Sequence, residues 1–299
     1  MHNIFIAAFV TTAASIAGSL LLLFAIRWAF PHPRFPRSDE AVSTVSLLIG
    51  TVYAVMLAFM LYTVWTQFQT AEATADREAQ AMVNLHYLAG QLPEPHRSNI
   101  RRTSEAYVKL VVADEWDRMP KGEMSRVAFA LLNKLWQAST AVEASTLSDR
   151  VLFDHILTEL SAASESRRLR MLSLHRRLAP ILWVVLVVGG VLTLATLCLL
   201  NMPSASMHAL KVGSSAAFLC LMLFAVYQLD SPFGGSLRLP ADAFRLAAGS
   251  FEQFDDAPRA ASARPPGNSG AEGAGGRTAA APRRAAVGLR ATRHRDRGD

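Results

Sequence analysis

Glu78 is the charged residue whose position asks most for an explanation. It is the only one on a seam formed by Phe68, Ala71, Ala75, Glu78, Met82, Leu85 and Ala89, at alternating spacings of three and four. Glu72, Asp76, Arg77, Gln80 and Asn84 fall off that seam. The spacing is that of a helix packing against partner helices. A carboxylate in such a seam costs stability unless it is hydrated or paired. Carried back towards the N-terminus, the same repeat meets Val64, Leu61, Leu57, Ala54, Gly50, Leu47 and Ser43. A line of small residues, Ser46, Gly50, Ala54 and Ala58, recurs every four and permits close helix approach in lipid. Helix packing is the preferred reading. A narrow pore, favoured by the small and hydroxyl-bearing stripe Ser43, Ser46, Gly50 and Tyr53, is the sharper alternative.

Enzyme chemistry finds no constellation. His86, His96, His155 and His175 have no partners at ligand spacing, and the two cysteines, Cys198 and Cys220, lie in apolar runs. Neither a metal site nor a cofactor is expected. The "SPFGG" stretch has two glycines but opens no helix, so it is not a phosphate loop. Two acidic clusters, Asp114–Glu115–Asp117 and Glu252–Asp255–Asp256, supply the oxygens that calcium prefers but lack the spacing of a dedicated loop. They read as solvated helix ends. Trp116, beside Glu115, needs a partner for its indole N–H when buried. Glu115 or a neighbouring chain is the expected acceptor. A packing anchor is preferred over a subunit contact for this pair.

The elements that must hold these residues are membrane helices. Hydrophobic residues make up 51% of the chain. Four runs, at about 4–26, 42–65, 181–200 and 212–229, approach the ~20 apolar residues a spanning helix requires. The first has no basic n-region and reads as a retained helix rather than a signal peptide. The run from Val42 to Ala89 contains no proline and is closed by Gly90, with Pro93 and Pro95 beyond. As one helix it would span roughly 70 Å, of which a bilayer core takes about 30 Å. Its second half therefore projects into water.

The organisation predicted is an all-α membrane protein: residues 1–65 carry the first two spans and 66–179 a helical domain. Residues 180–230 carry the last two spans, 231–256 a membrane-proximal segment, and 257–299 a disordered basic tail. Segment 66–179 holds 15 basic and 14 acidic residues, a balance suited to folded helix. Within it, Ser98 is expected to cap a helix to about Asp117, broken by "MPKG". A second helix carries Met124, Val127, Leu131 and Leu135. A third starts at Thr146 or Ser148, with Leu152, Ile156, Leu160 and Ala163 on one face, and is expected to continue to Pro180. Phe233, Leu237, Leu239 and Phe244 are expected against the membrane surface or the stalk. The "RWAFPHPRFPRSDE" stretch between the first two spans reads as a short, stiff connection.

Charge places the chain relative to the bilayer. The net charge of +6 is misleading, because residues 257–299 contribute nine arginines against three acidic residues. The folded part is formally neutral, which argues against nucleic acid as a partner. Arg167, Arg168, Arg170, Arg176 and Arg177 crowd the membrane end of the large segment. The positive-inside rule then puts that segment and both termini in the cytoplasm of a multi-pass cell-membrane protein, against the opposing pull of Arg27, Arg34 and Arg37. The second, third and fourth spans are read as free of Asp, Glu, Arg and His, which disfavours proton relays and voltage sensors.

An apolar span running into an Ala/Glu-rich helix, then "LPEPHRSNIRRTSEAYVKLVVADEWDRM", "RRLAPILW" and "LDSPFGG", resembles the bestrophin-like domain family of bacterial membrane proteins. The resemblance covers roughly residues 1–250, and its most specific pieces are Glu115–Trp116 and the Pro232-Phe233-Gly234-Gly235 turn. It implies four spans, cytoplasmic helices and a homo-oligomer, pentameric as in bestrophins, conducting anions. In bestrophins an acidic clasp follows the fourth span, where this chain has Glu252, Asp255 and Asp256. On that plan Glu78 is expected to face neighbouring copies around the axis, repelling anions unless Arg77 offsets it. A non-conducting scaffold or sensor acting through its cytoplasmic helices is the alternative, favoured by the lack of a charged ring at either mouth of the second helix.

Overall fold

The computed structural model describes residues 2–29, 39–143, 145–200 and 204–262. Arg34, Arg37, most of the proline-rich connection and tail residues 263–299 lie outside them. The chain divides into Met1–Pro258, which carries the packing described below, and Arg259–Asp299.

The described residues form helices and no strand. Four helices are long and apolar enough to cross a membrane: α1 (His2–Ala29), α2 (Asp39–Ala89), α7 (Pro180–Leu199) and α8 (Ala205–Leu229). Between α2 and α7 lie α3 (His96–Leu110), a π turn at Val111–Glu115 and a short α4 (Trp116–Arg118). A 3₁₀ turn at Met119–Lys121, α5 (Arg126–Thr140) and α6 (Leu147–Ser173) complete that segment. A ninth helix, α9 (Asp242–Ser262), follows α8.

Local chemistry accounts for most boundaries. α2 is one helix of 51 residues, as its freedom from proline requires. The "MPKG" break is real: Gly122 adopts φ +76°, a left-handed conformation that glycine takes without strain. Thr146 caps α6 in a full capping box with Asp149.

Four expectations need correcting, and a fifth holds for three of its four residues. α3 begins at His96, ahead of Ser98, whose hydroxyl bonds the Pro95 carbonyl instead of capping. α6 stops at Ser173 rather than reaching Pro180, and Pro180 starts α7 after an extended Ala179, as proline disposes the residue before it. α8 begins at Ala205, capped by Ser204, ahead of the start expected at about 212, so His208 lies inside a spanning helix. His208 is buried there, its Nε2 3.1 Å from the Leu197 carbonyl. Residues 242–262 form α9, so Ala257–Ser262, expected in the tail, are helical. Phe233, Leu239 and Phe244 are buried in the helical domain, while Leu237 is exposed.

Two hydrophobic cores matter here. The larger gathers the stalk half of α2, α3, α5, α6 and the segment from Phe233 to Phe251. The smaller joins α2 to α7 and α8 around Tyr53, Leu57, Val64, Leu186 and Val226.

Candidate functional site

The seam of α2 places Glu78 in the larger core, not towards other copies. Ala71, Ala75, Glu78, Met82, Leu85 and Ala89 are buried, whereas Glu72, Asp76, Arg77 and Gln80 are exposed. The partner is α6 of the same chain, running antiparallel. Asn84 bonds Glu159 at 3.1 Å near one end, and Glu78 meets Arg170 near the other.

Arg170 forks onto Glu78, with Nε to Oε2 at 2.7 Å and Nη2 to Oε1 at 2.8 Å. Its Nη2 also donates to Glu115 Oε1 at 2.7 Å, and Nη1 lies 3.1 Å from the Met119 sulfur. Arg167 forks onto Glu115 with two bonds of 2.7 Å. Tyr107 donates to Glu78 at 2.5 Å and accepts from Arg167 at 3.1 Å. The Ser125 amide donates to Glu115 at 3.0 Å. Two carboxylates and two guanidiniums thus form a neutral cluster sealed from water, the condition under which buried charge is tolerated.

Electrostatics follow the geometry. Burial alone would raise the Glu115 carboxyl, but Arg170 and Arg167 outweigh it and hold the pKa below its ordinary value. Burial, reinforced by the Glu78 carboxylate, pushes the Tyr107 phenol well above its ordinary value. No fully buried polar side-chain atom of the cluster is left without a partner. Its chemistry is to fasten α2, the π turn and α6 together.

Trp116 and the Pro232–Gly235 turn turn out to be one structure. The indole N–H donates 2.9 Å to the Leu239 carbonyl, not to Glu115 and not to another chain. Leu239 is held in place because its own amide bonds the Pro232 carbonyl at 2.8 Å. Phe233 meets the Trp116 ring edge-on at 5.7 Å, and Gly235 closes the turn at φ +67°. Arg170 lies 5.6 Å from the Trp116 ring centre and 5.5 Å from that of Phe244, geometry suited to cation–π attraction. The tryptophan therefore roofs the charge cluster.

The first acidic cluster points three ways. Asp114 pairs with Arg118 at 2.6 Å, Asp117 with Arg238 at 3.3 Å, and Glu115 faces the core. Glu252 of the second cluster is exposed, and the side chains of Asp255 and Asp256 lie outside the description.

In the membrane half of α2 the candidate residues divide. Ser46 donates to the Thr196 carbonyl at 3.3 Å, and Gly50 faces Thr193. The Tyr53 hydroxyl donates to the Leu186 carbonyl at 2.9 Å, and Leu57 is buried in the same core. Ser46, Gly50 and Tyr53 pack on α7 within the chain and Leu57 shares the core that joins α2 to α7 and α8, while Ser43 and Ala54 are exposed. A methyl added at Gly189 would fall 2.6 Å from the Tyr53 ring, so the glycine exists to admit that ring. The stripe read as favouring conduction is, at Ser46, Gly50 and Tyr53, a helix interface.

Among the described residues, nothing covers the opposite face of α2. Leu48, Val52, Val55, Phe59 and Tyr62 are exposed, followed past Trp65 by Thr66, Gln69, Thr70, Asp76 and Arg77. Thr66 and Thr70 donate their hydroxyls to carbonyls one turn back, at 2.8 and 2.7 Å, which suits them to either lipid or water.

The sequence reading missed Arg167 and Arg170 as core residues. Their signal was present, because both continue the spacing of Ile156, Leu160 and Ala163.

The fold resembles that of solved membrane proteins. A single-site variant of a bacterial bestrophin homologue from Klebsiella pneumoniae aligns with a TM-score of 0.62 at 12% identity, over 83% of this chain and 98% of its own. A second variant of that homologue gives 0.58 at 14% identity, over 83% and 98%. A structure described as a membrane protein gives 0.60 at 12%, over 83% and 97%. No curated protein matches the chain. The family model for the bestrophin-like domain matches residues 13–244, which take in α2, the charge cluster and the Trp116 turn, and the chain belongs to the bestrophin-like domain family.

Proposed function

We propose that this non-enzymatic membrane protein is a homo-oligomeric ion channel whose path is lined by the uncovered face of α2. The observation carrying this reading is the contrast between the two faces of that helix. One is buried in its own chain, while the other presents Leu48, Val52, Val55, Phe59 and Tyr62 and then Thr66, Gln69, Thr70, Asp76 and Arg77 with no cover from the described residues. A hydrophobic stretch of that kind can gate by dewetting without a charged ring. Family membership and fold favour the same assembly, with a pentamer and anion conduction taken over from the bestrophin resemblance. Glu78 no longer opposes anions, since its charge is matched by Arg170. Asp76 and Arg77, exposed and of opposite sign, are then the residues that set ion preference.

Purified protein in planar bilayers tests this. Arg77→Gln should shift the reversal potential towards cations and Asp76→Asn towards anions. A monomeric or dimeric particle without current would leave the scaffold reading. The cytoplasmic placement of the large segment is part of the proposal. Cysteine introduced at Ser206 should label from outside intact cells and cysteine at Ala130 should not.

A further inference from the structure

The connection from α6 to α7 builds a basic recess at the end of the spanning helices. It has a volume of about 370 Å³ and is lined by Lys121 and Gly122 from the 3₁₀ turn, His175, Arg176 and Arg177 from the connection, and Asp230 and Ser231 beyond α8. Its depth is marked by aromatic residues. Trp183, in the first turn of α7, meets Tyr227, in the last turn of α8, at 6.2 Å between ring centres. Tryptophan and tyrosine gather at headgroup level in membrane proteins.

The recess is unbalanced in charge. Arg167 and Arg170, on the same helix, are consumed in the core, and Arg168 approaches Glu165 at 4.0 Å. Lys121, Arg176 and Arg177 have no carboxylate partner among the described residues. Asp230, the one carboxylate lining the recess among the described residues, offsets at most one of the three cations, and its oxygens are turned to neutral donors. It accepts from the Leu178 amide at 2.7 Å and lies 3.5 Å from the Trp183 indole nitrogen. His175 has Nδ1 turned to the Met171 carbonyl at 3.4 Å, and its Nε2 lies towards Gly122. Three exposed cations from two separate elements therefore converge where phospholipid headgroups lie. Arginine forks match the geometry of phosphate oxygens, and lysine adds a point charge.

We propose that this recess binds a phosphate group at headgroup depth, supplied by an anionic phospholipid. The site joins the 3₁₀ turn, which carries Met119 against Arg170, to the entry of α7. An occupant would thus tie the helical domain to the spans. The proposal needs the chain to sit in a membrane, but not to conduct.

The test uses the full-length chain in detergent, followed by thermal unfolding while soluble short-chain phosphatidylglycerol, phosphatidylcholine or inorganic phosphate is added. Phosphatidylglycerol should raise the unfolding temperature and phosphatidylcholine should not. Arg176→Gln and Arg177→Gln should each weaken the apparent affinity about fivefold, the worth of one basic residue near an anionic surface. Arg168→Gln, off the recess, should titrate as the unaltered protein does. Lys121→Gln, on another element, gives an independent reading if the arginine variants fail to fold. An equal shift with inorganic phosphate would support the phosphate site while assigning it a soluble source. Equal responses to the two lipids, or full phosphatidylglycerol affinity in Arg176→Gln, Arg177→Gln and Lys121→Gln, would overturn the proposal.

Discussion

The two halves of α2 use one repeat in two solvents, with different results. From Ala71 to Ala89 every seam residue is buried, and the excluded charged residues Glu72, Asp76 and Arg77 face water. From Ser43 to Val64 the same repeat alternates between cover and exposure: Leu57 and Val64 are buried, but Ser43, Leu47 and Ala54 are not. Water makes the difference. Around the stalk an exposed apolar residue costs about 25 cal/mol per Å², so the seam must be covered. In lipid that force is absent, and contacts are chosen by close packing, small residues and hydrogen bonds. The contacts that are made there, Ser46 to Thr196 and Tyr53 to Leu186 beside Gly189, are of that kind.

The largest effect should come from breaking the stalk at its charge cluster. Glu78→Gln, and still more Arg170→Ala, leaves a buried charge uncompensated, at a cost of about 3–5 kcal/mol. Proteolytic resistance and unfolding temperature should fall together. A channel with normal stability and altered selectivity after Glu78→Gln would return Glu78 to the conducting path. Replacing both members, Glu78→Gln with Arg170→Met, should cost less than the sum of the single changes, because no bare charge remains.

A smaller effect is expected in the membrane half. Gly189→Ala puts a methyl against the Tyr53 ring and should cost roughly 1–3 kcal/mol by overpacking. Tyr53→Leu should recover part of that loss. If Gly189→Ala is as stable as the unaltered protein, α2 and α7 do not approach as closely as described.

Acid separates the halves again. Glu115 has its pKa lowered by folding, so its stabilisation is full above the unfolded carboxylate value of about 4.3. It is lost as pH falls through the lower folded value. Unfolding followed by pH should show the helical domain weakening below that range. Glu115→Gln should be less stable at neutral pH and should lose part of the acid dependence. An unchanged acid profile in that variant would show that other carboxylates control it.

The mildest change is Trp116→Phe, which keeps a six-membered aromatic ring but loses the five-membered ring of the indole and its hydrogen bond to Leu239. A loss of about 1 kcal/mol is expected, seen as a small drop in unfolding temperature. A much larger loss would mean that the indole also holds the Pro232–Gly235 turn in place.

Sequence alone determined the features that depend on neighbours along the chain. The unbroken α2 follows from its lack of proline, the stop at Gly122 from a residue free to take positive φ, and the start of α6 from Thr146 or Ser148, between which the structure chose Thr146. The stalk seam was equally legible, since periodicity reports burial wherever water is the alternative. α9 was overlooked because "PADAFRLA" follows a turn and reads as scattered aromatics until its buried face is known. What the seam packs against was not determined by spacing. Glu78 on α2 and Arg167 and Arg170 on α6 each continue an apolar seam, so their opposite charges offered a pairing within the chain. Nothing in either helix alone distinguished that from pairing between copies. The π turn that brings Glu115 between the two arginines has no signature in its residues. Only the tertiary structure decided these matters, because a buried charge is placed by the distant partner that neutralises it, and that partner is fixed by packing rather than by local preference.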